Sequence, residues 1–263
     1  MIDTHCHLFR SYYEDLDNLI VKLKENNIYC IVNGCEYFSN IESVELSNND
    51  NIYAAVGYQP TELDNIEDDY IEVLEGMLDN NKVVAIGEIG LDYYWNKDNR
   101  NIQIEVFKKQ LELASKYNLP VIIHSRDAVG DVYNILKEYN VRGVIHAFSG
   151  SYESAMEFIK IGFKLGIGGV ITFKNCKLKE VISKLKLEDI VLETDSPYLT
   201  PVPNRGKRNS PLNLIYIAEY ISKLKCVSVE EVISTTNKVA CELFDLDIKL
   251  WYYLYVEVKR NDW

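Results

Sequence analysis

Ile2-Asp3-Thr4-His5-Cys6-His7 opens the chain as a short apolar-to-polar run ending in His-x-His. The run reads as a β-strand, and on a strand side chains two apart share a face. His5 and His7 therefore point one way and Cys6 the other, and two imidazoles on one face suit a single metal ion. The chain holds four histidines in all. The other two, His124 and His146, also stand where short apolar runs end. That shared placement suggests one cluster and raises the question of which fold gathers strand ends.

Working outward, Val/Ile-rich runs alternate with longer amphipathic stretches, the mark of repeated βα units. After Ile2–His7 the strands are expected at Ile28–Gly34, Ile52–Gly57, Val83–Glu88, Pro120–His124, Gly143–His146, Phe163–Gly168 and Ile190–Glu193. Helices are expected between them, beginning with Tyr13–Asn26 and including a long one over Ile102–Tyr117. Ser210-Pro211 reads as a helix N-cap with proline in the first turn, ahead of helices near Leu212–Lys223 and Val229–Phe244. The strands are almost continuously apolar, so the sheet is buried on both faces and parallel. Eight such units predict an α/β fold of the (β/α)8 TIM-barrel type. An open doubly wound sheet is the alternative, but no Gly-x-Gly-x-x-Gly run follows the first strand. Residues 1–245 are expected to form one barrel domain. Residues 246–263 are an extension whose Leu250–Val256 run is aromatic and β-prone, expected as an extended segment lying against the barrel.

Composition narrows the class. A 263-residue chain with 47% hydrophobic and 26% charged residues has enough apolar matter for one large core. No apolar run approaches the roughly 18 residues of a membrane span. The chain starts directly in its first strand, with neither a charged n-region nor an apolar h-region, which favours the cytoplasm. Six scattered cysteines without a Cys-x-x-Cys pair read as reduced thiols, with a Cys30/Cys35 metal clip as a minor alternative. The net charge of −12 argues against a protein that coats nucleic acid, because that binding rests on many Lys and Arg. It leaves room for an enzyme that meets phosphate locally, since bound cations reverse the charge of an acidic site.

On a barrel, His5, His7, Glu88, His124 and His146 end strands and Asp195 follows the last one, all at the C-terminal rim where barrel enzymes keep their chemistry. Four imidazoles and two carboxylates exceed one tetrahedral ion. They suit two divalent ions bridged by Glu88, an arrangement that acidifies water and clamps a phosphoryl displacement.

His5-x-His7, Gly87-Glu88-Ile89-Gly90-Leu91-Asp92, Ile123-His124-Ser125-Arg126, His146-Ala147-Phe148-Ser149-Gly150, Glu193-Thr194-Asp195-Ser196-Pro197 and Arg205-Gly206-Lys207-Arg208-Asn209 together resemble the signature runs of the TatD family of metal-dependent DNases, within the amidohydrolase-like barrels. The resemblance spans about residues 1–245. It implies hydrolysis of DNA phosphodiesters, typically as a 3′→5′ exonuclease on DNA ends, with single strands as the favoured partner, using two divalent ions (Mg, Mn or Zn). By that resemblance His5, His7, Glu88 and Asp195 hold one ion, Glu88, His124 and His146 the other, and Asp195 is also the general base. Arg126, Arg205, Lys207 and Arg208 are the expected phosphate holders, because guanidinium forks match phosphate oxygens. Tyr58, Tyr93 and Phe148 are rim aromatics that would stack a terminal base. The sequence departs from the family where Gly-x-His-Pro is replaced by Gly57-Tyr58-Gln59-Pro60, and where Ser210 stands for the usual glutamate. Gln59 carries no titratable proton but can hydrogen-bond a phosphate. Two other functions fit the same scaffold: an amidohydrolase acting on an amide, lactone or phosphoester of a small molecule, and a metal-binding barrel without catalysis. The first often uses a carboxylated lysine where this chain has Glu88, and the second has no need of six metal ligands.

Overall fold

The computed structural model describes residues 1–64, 66–95 and 97–248. Eight parallel strands follow one another around a barrel in chain order: β1 (Ile2–Cys6), β2 (Tyr29–Asn33), β3 (Ile52–Val56), β4 (Val83–Asp92), β5 (Val121–Arg126), β6 (Gly143–Ile145), β7 (Phe163–Ile167) and β8 (Ile190–Leu192). The (β/α)8 expectation is met. The barrel closes where β8 returns to β1. Cys6 bridges Ser196 in parallel, the His7 amide donates to the Ser196 carbonyl at 2.8 Å, and the Asp195 amide donates to the His5 carbonyl at 2.9 Å.

Nine helices among the described residues surround the strands: α1 (Leu16–Glu25), α2 (Tyr37–Leu46), α3 (Tyr70–Met77), α4 (Arg100–Tyr117), α5 (Val129–Leu136), α6 (Tyr152–Lys160), α7 (Leu178–Lys184), α8 (Leu214–Lys225) and α9 (Val229–Phe244). Helix α1 shows how the sequence encodes them. Leu16, Ile20 and Leu23 recur at helical spacing, so one stripe is buried, and the Asp15 carboxylate accepts from the Asn18 amide at the N-terminus. Cys6, on the outer face of β1, packs in the same cluster as that stripe, which leaves the inner face to His5 and His7. Helix α9 starts on a Ser228 cap and lays Val239, Ala240, Leu243 and Phe244 against the N-terminal end of the barrel, where Ile2, Ile31, Val84, Ile122, Val144 and Val191 form a dry plug.

Several boundaries differ from the sequence reading. Strand β4 runs four residues past Glu88 to Asp92, and β5 continues past His124 to Arg126. The two extensions pair with each other, Gly90 opposite His124 and Asp92 opposite Arg126, so main-chain hydrogen bonding outlasts the apolar pattern. Gly90 permits this approach: its φ is +145°, and a Cβ there would lie 2.0 Å from the His124 carbonyl oxygen. Helix α1 begins at Leu16 rather than Tyr13, because Asp15 supplies the cap. Ser210-Pro211 opens a 3-10 turn, Pro211–Asn213, before α8. Beyond α9, Leu246 is buried in the plug, while the Leu250–Val256 run lies outside the described residues. Among the described residues no helix is long and apolar enough to cross a membrane.

Candidate metal centre

The predicted rim residues meet at the C-terminal mouth of the barrel. Strand alternation sends His5 and His7 inward, with ring centroids 4.9 Å apart and their Nε2 atoms 3.2 Å apart. Glu88 stands between two groups of imidazoles. Its Oε2 lies 3.5 Å from His5 Nε2 and 3.7 Å from His7 Nε2, while its Oε1 lies 2.7 Å from His124 Nδ1 and 3.2 Å from His146 Nε2. Asp195 closes the His5/His7 side, its Oδ1 at 3.6 Å from both Nε2 atoms. Asp195 has φ 52°, a left-handed conformation that aspartate tolerates better than most residues, and it turns the chain inward after β8.

The donor set fits cations. Among the described residues three overlapping groups could hold a metal: His5, His146 and Asp195; His5, His7 and Glu88; and Glu88, His124 and His146. Separations of 3.2–3.7 Å between donor atoms are those of atoms sharing a centre about 2.1 Å from each. The outer nitrogens fix which ring atom faces inward. His7 Nδ1 lies 2.9 Å from the Asn33 carbonyl and donates to it, leaving a lone pair on Nε2. His124 Nε2 lies 3.0 Å from Asp92 Oδ2, leaving Nδ1 for the centre. His5 Nδ1 and His146 Nδ1 are buried without a hydrogen-bond partner. Six donor groups are thus crowded together out of water, an arrangement that needs positive charge among them.

In the bare cluster the imidazoles and carboxylates shift one another. Burial works against ionised Glu88, but the facing charges of His146 and His5 and the hydrogen bonds from His124 and His146 hold its carboxyl well below the usual range. Burial likewise disfavours a charge on His146, yet Glu88 and Glu193 lift it well above an ordinary imidazole. Asp195 is opposed by burial and lowered by His7, His146 and His5. His5 goes down, because burial and the neighbouring His146 outweigh Glu88.

Two supporting residues escaped the sequence reading. Asp92 orients His124, and Glu193 lies under His146 with Oε1 3.5 Å from Nδ1. Gly166 makes room for Glu193, since a Cβ there would lie 2.0 Å from Oε2. The signal for Asp92 was period two: Glu88, Gly90 and Asp92 share one face of a strand that the apolar pattern ended too early. Asn33 acts through its carbonyl, which no side-chain pattern reveals.

The expected substrate contacts divide. A cavity of about 870 Å³ opens above the cluster, and Arg126 and Gln59 line it. The Gln59 side-chain oxygen accepts from the Thr61 amide at 3.2 Å and from its hydroxyl. Arg205, Lys207 and Arg208 are exposed on the loop after β8 and do not line this cavity; the Arg205 guanidinium lies over the Phe173 ring at 3.8 Å. Tyr58 and Phe148 are buried in the core and cannot stack an incoming base, and Tyr93 lies half-buried beneath Arg100. Tyr58 is drawn into the core by Tyr70 of α3, edge to face at 5.5 Å, and by Gln110 of α4, whose side-chain oxygen accepts from the Tyr58 amide at 2.7 Å. Cys30 and Cys35 form no metal-sized group among the described residues.

Comparison with known proteins places this arrangement. Residues 2–245 match the family described as TatD related DNase. The chain is 41% identical over 254 residues to an uncharacterized metal-dependent hydrolase of Bacillus subtilis, YabD, covering 94% of this chain and all of that one. It is 34% identical to the human deoxyribonuclease TATDN3, over 93% of this chain and 94% of that protein. The crystal structure of the TatD homologue YJJV from Escherichia coli superposes with a TM-score of 0.88 at 32% identity, covering 94% and 98% of the two chains. On the family match and these identities, the chain belongs to the TatD-related DNase family.

Proposed function

We propose that this chain is a metal-dependent phosphodiesterase acting on DNA ends, with single strands preferred and cleavage running 3′→5′. The observation that carries the reading is Glu88, whose two oxygens face different imidazole pairs, as a bridging carboxylate would. His5, His7, Glu88 and Asp195 would hold one divalent ion, and Glu88, His124 and His146 the other. Bound there, the ions would acidify a water and neutralise charge on the phosphate. Asp195 receives the proton of the attacking water, being the carboxylate of the cluster with the most side-chain exposure, 15% against 3% for Glu88. Arg126 holds the phosphate from the cavity wall. Gln59 occupies the wall without a titratable proton, so it orients a phosphate oxygen and leaves protonation of the departing alkoxide to solvent. Residues 1–245 form the catalytic unit in this reading.

Family membership and the names of the relatives support DNA as substrate. The test is to incubate the protein with single-stranded oligonucleotides and Mg²⁺, Mn²⁺ or Zn²⁺, with and without a chelator. Shortened products that vanish with the chelator are expected. No product with any of the three ions would defeat the reading.

A further inference from the structure

Just past β4 the chain presents two aromatic side chains that the barrel does not use. Trp95 is 69% exposed and Tyr94 50% exposed, their rings edge to face at 5.0 Å. Apolar rings that adjoin one another in water are the kind of patch that marks an interaction surface, unlike apolar residues scattered singly. This pair is held firmly. Asp92 Oδ1 accepts from both the Tyr94 and Trp95 amides at 2.9 Å. The Tyr93 amide donates to the Arg126 carbonyl at 2.9 Å, and its hydroxyl donates to Asp131 at 2.8 Å. The Arg126 guanidinium completes the surface, 3.9 Å above the Tyr94 ring and 5.3 Å from that of Trp95.

Position and charge select the occupant. Trp95 and Arg126 line the same cavity as Glu88 and His124, so a group lying on the ring shares that space with the cluster. Glu36, Glu42 and Glu62, on the segments that follow β2 and β3, line the same cavity and repel a phosphate backbone. A single strand is thereby pressed toward the Arg126 side, where its phosphate meets the guanidinium and the flat group beside it, a base, meets the aromatic rings. We infer that Trp95, with Tyr94 and Arg126, is a stacking shelf for an unpaired nucleobase next to the scissile phosphate. The inference rests on the nuclease reading above and adds a positioning site to it. Asp92 ties the shelf to the cluster, since its other oxygen holds His124. Stacking on an aromatic face accepts any base, so the shelf favours unstacked strands without choosing a sequence.

The test compares two single-stranded oligonucleotides with identical phosphates, one carrying all bases and one abasic at the terminal nucleotides. Wild-type kcat/KM is expected to favour the base-bearing strand about tenfold or more, within the range for one stacked base. Trp95→Ala should bring that ratio close to one, chiefly through KM, and Trp95→Phe should keep most of it. A ratio near one in the wild type, or unchanged in Trp95→Ala, would overturn the shelf. Binding is read separately from the emission of Trp95 in a Trp251→Phe/Trp263→Phe protein, titrated with the same two strands as uncleavable phosphorothioates. Quenching that depends on the bases upholds the shelf even if no DNA is cut and the nuclease reading fails. Equal quenching by both strands, or none, removes the shelf while leaving any observed nuclease activity in place.

Discussion

The two ends of this barrel are built from the same eight strands and buried to the same degree, yet they are held together by opposite physics. At the N-terminal end Ile2, Ile31, Val84, Ile122, Val144 and Val191 meet the apolar face of α9. Each side chain there gains by leaving water, at roughly 25 cal/mol per Å² of apolar surface. At the C-terminal end His5, Glu88 and Glu193 are equally hidden, but their polar atoms pay for desolvation and are repaid only by one another or by a cation. Strand β1 holds both regimes within six residues, from Ile2 in the plug to His5 and His7 at the mouth. An apolar plug thus stands at one end and a cluster of polar donors at the other, and each is expected to respond separately to substitution.

The largest effect is expected at the mouth. Glu88→Ala should lower hydrolysis by about 10⁴-fold or more, as for residues that act as one unit, and bound metal should fall with it. Full activity with both ions retained would remove the bridge. Phe244→Ala should do the reverse. It vacates a fully buried ring in the plug and is expected to lower unfolding free energy by about 3–5 kcal/mol, read by denaturant titration. Metal content per folded molecule should stay as in the wild type; loss of metal would show that the ends are not independent. Asp92→Ala leaves His124 in place but unoriented, and a fall in metal affinity of about 10–100-fold is expected by competition with a chromophoric chelator.

A pH series sharpens the contrast. In the chelated protein Glu88 is depressed, so its contribution to stability is present above the ordinary carboxylate pKa and lost as pH falls through the folded value. His146 is raised, so its contribution is present below 6.5 and lost as pH rises through the folded value. The chelated form should therefore weaken above neutrality, whereas metal holds imidazoles that are already neutral. The gain in stability from metal should grow with pH, by about 1.4 kcal/mol per unit for each proton released. Thermal unfolding with and without metal from pH 6 to 9 checks the sign. The smallest effect is expected from Arg205→Ala with Arg208→Ala, whose side chains lie outside the cavity wall. A modest rise in KM and a salt slope shallower by about one per phosphate contact would keep them as substrate contacts.

What the sequence disclosed follows from which interactions leave a periodic trace. Apolar runs at regular intervals announced the strands, and counting them led to the barrel. His5, His7, Glu88, His124, His146 and Asp195 were legible because each stands where such a run stops. Asp92 and Glu193 were not, since an acidic residue that orients a histidine resembles any surface carboxylate until both are folded. The extension of β4 to Asp92 depends on pairing with β5, a contact between distant segments. Tyr58 and Phe148 show the opposite error: position in the chain placed them at the rim, but packing turned them into the core. Trp95, just past β4, is left 69% exposed, which its own sequence neighbourhood does not record.

The function proposed for the mouth rests on Glu88 lying between two cations. Anomalous diffraction from crystals grown with Mn²⁺ or Zn²⁺ tests this most directly. Two ions are expected, one on the His5/His7 side at Glu88 Oε2 and one on the His124/His146 side at Oε1. A single ion, or ions with Glu88 turned away from both, would contradict it.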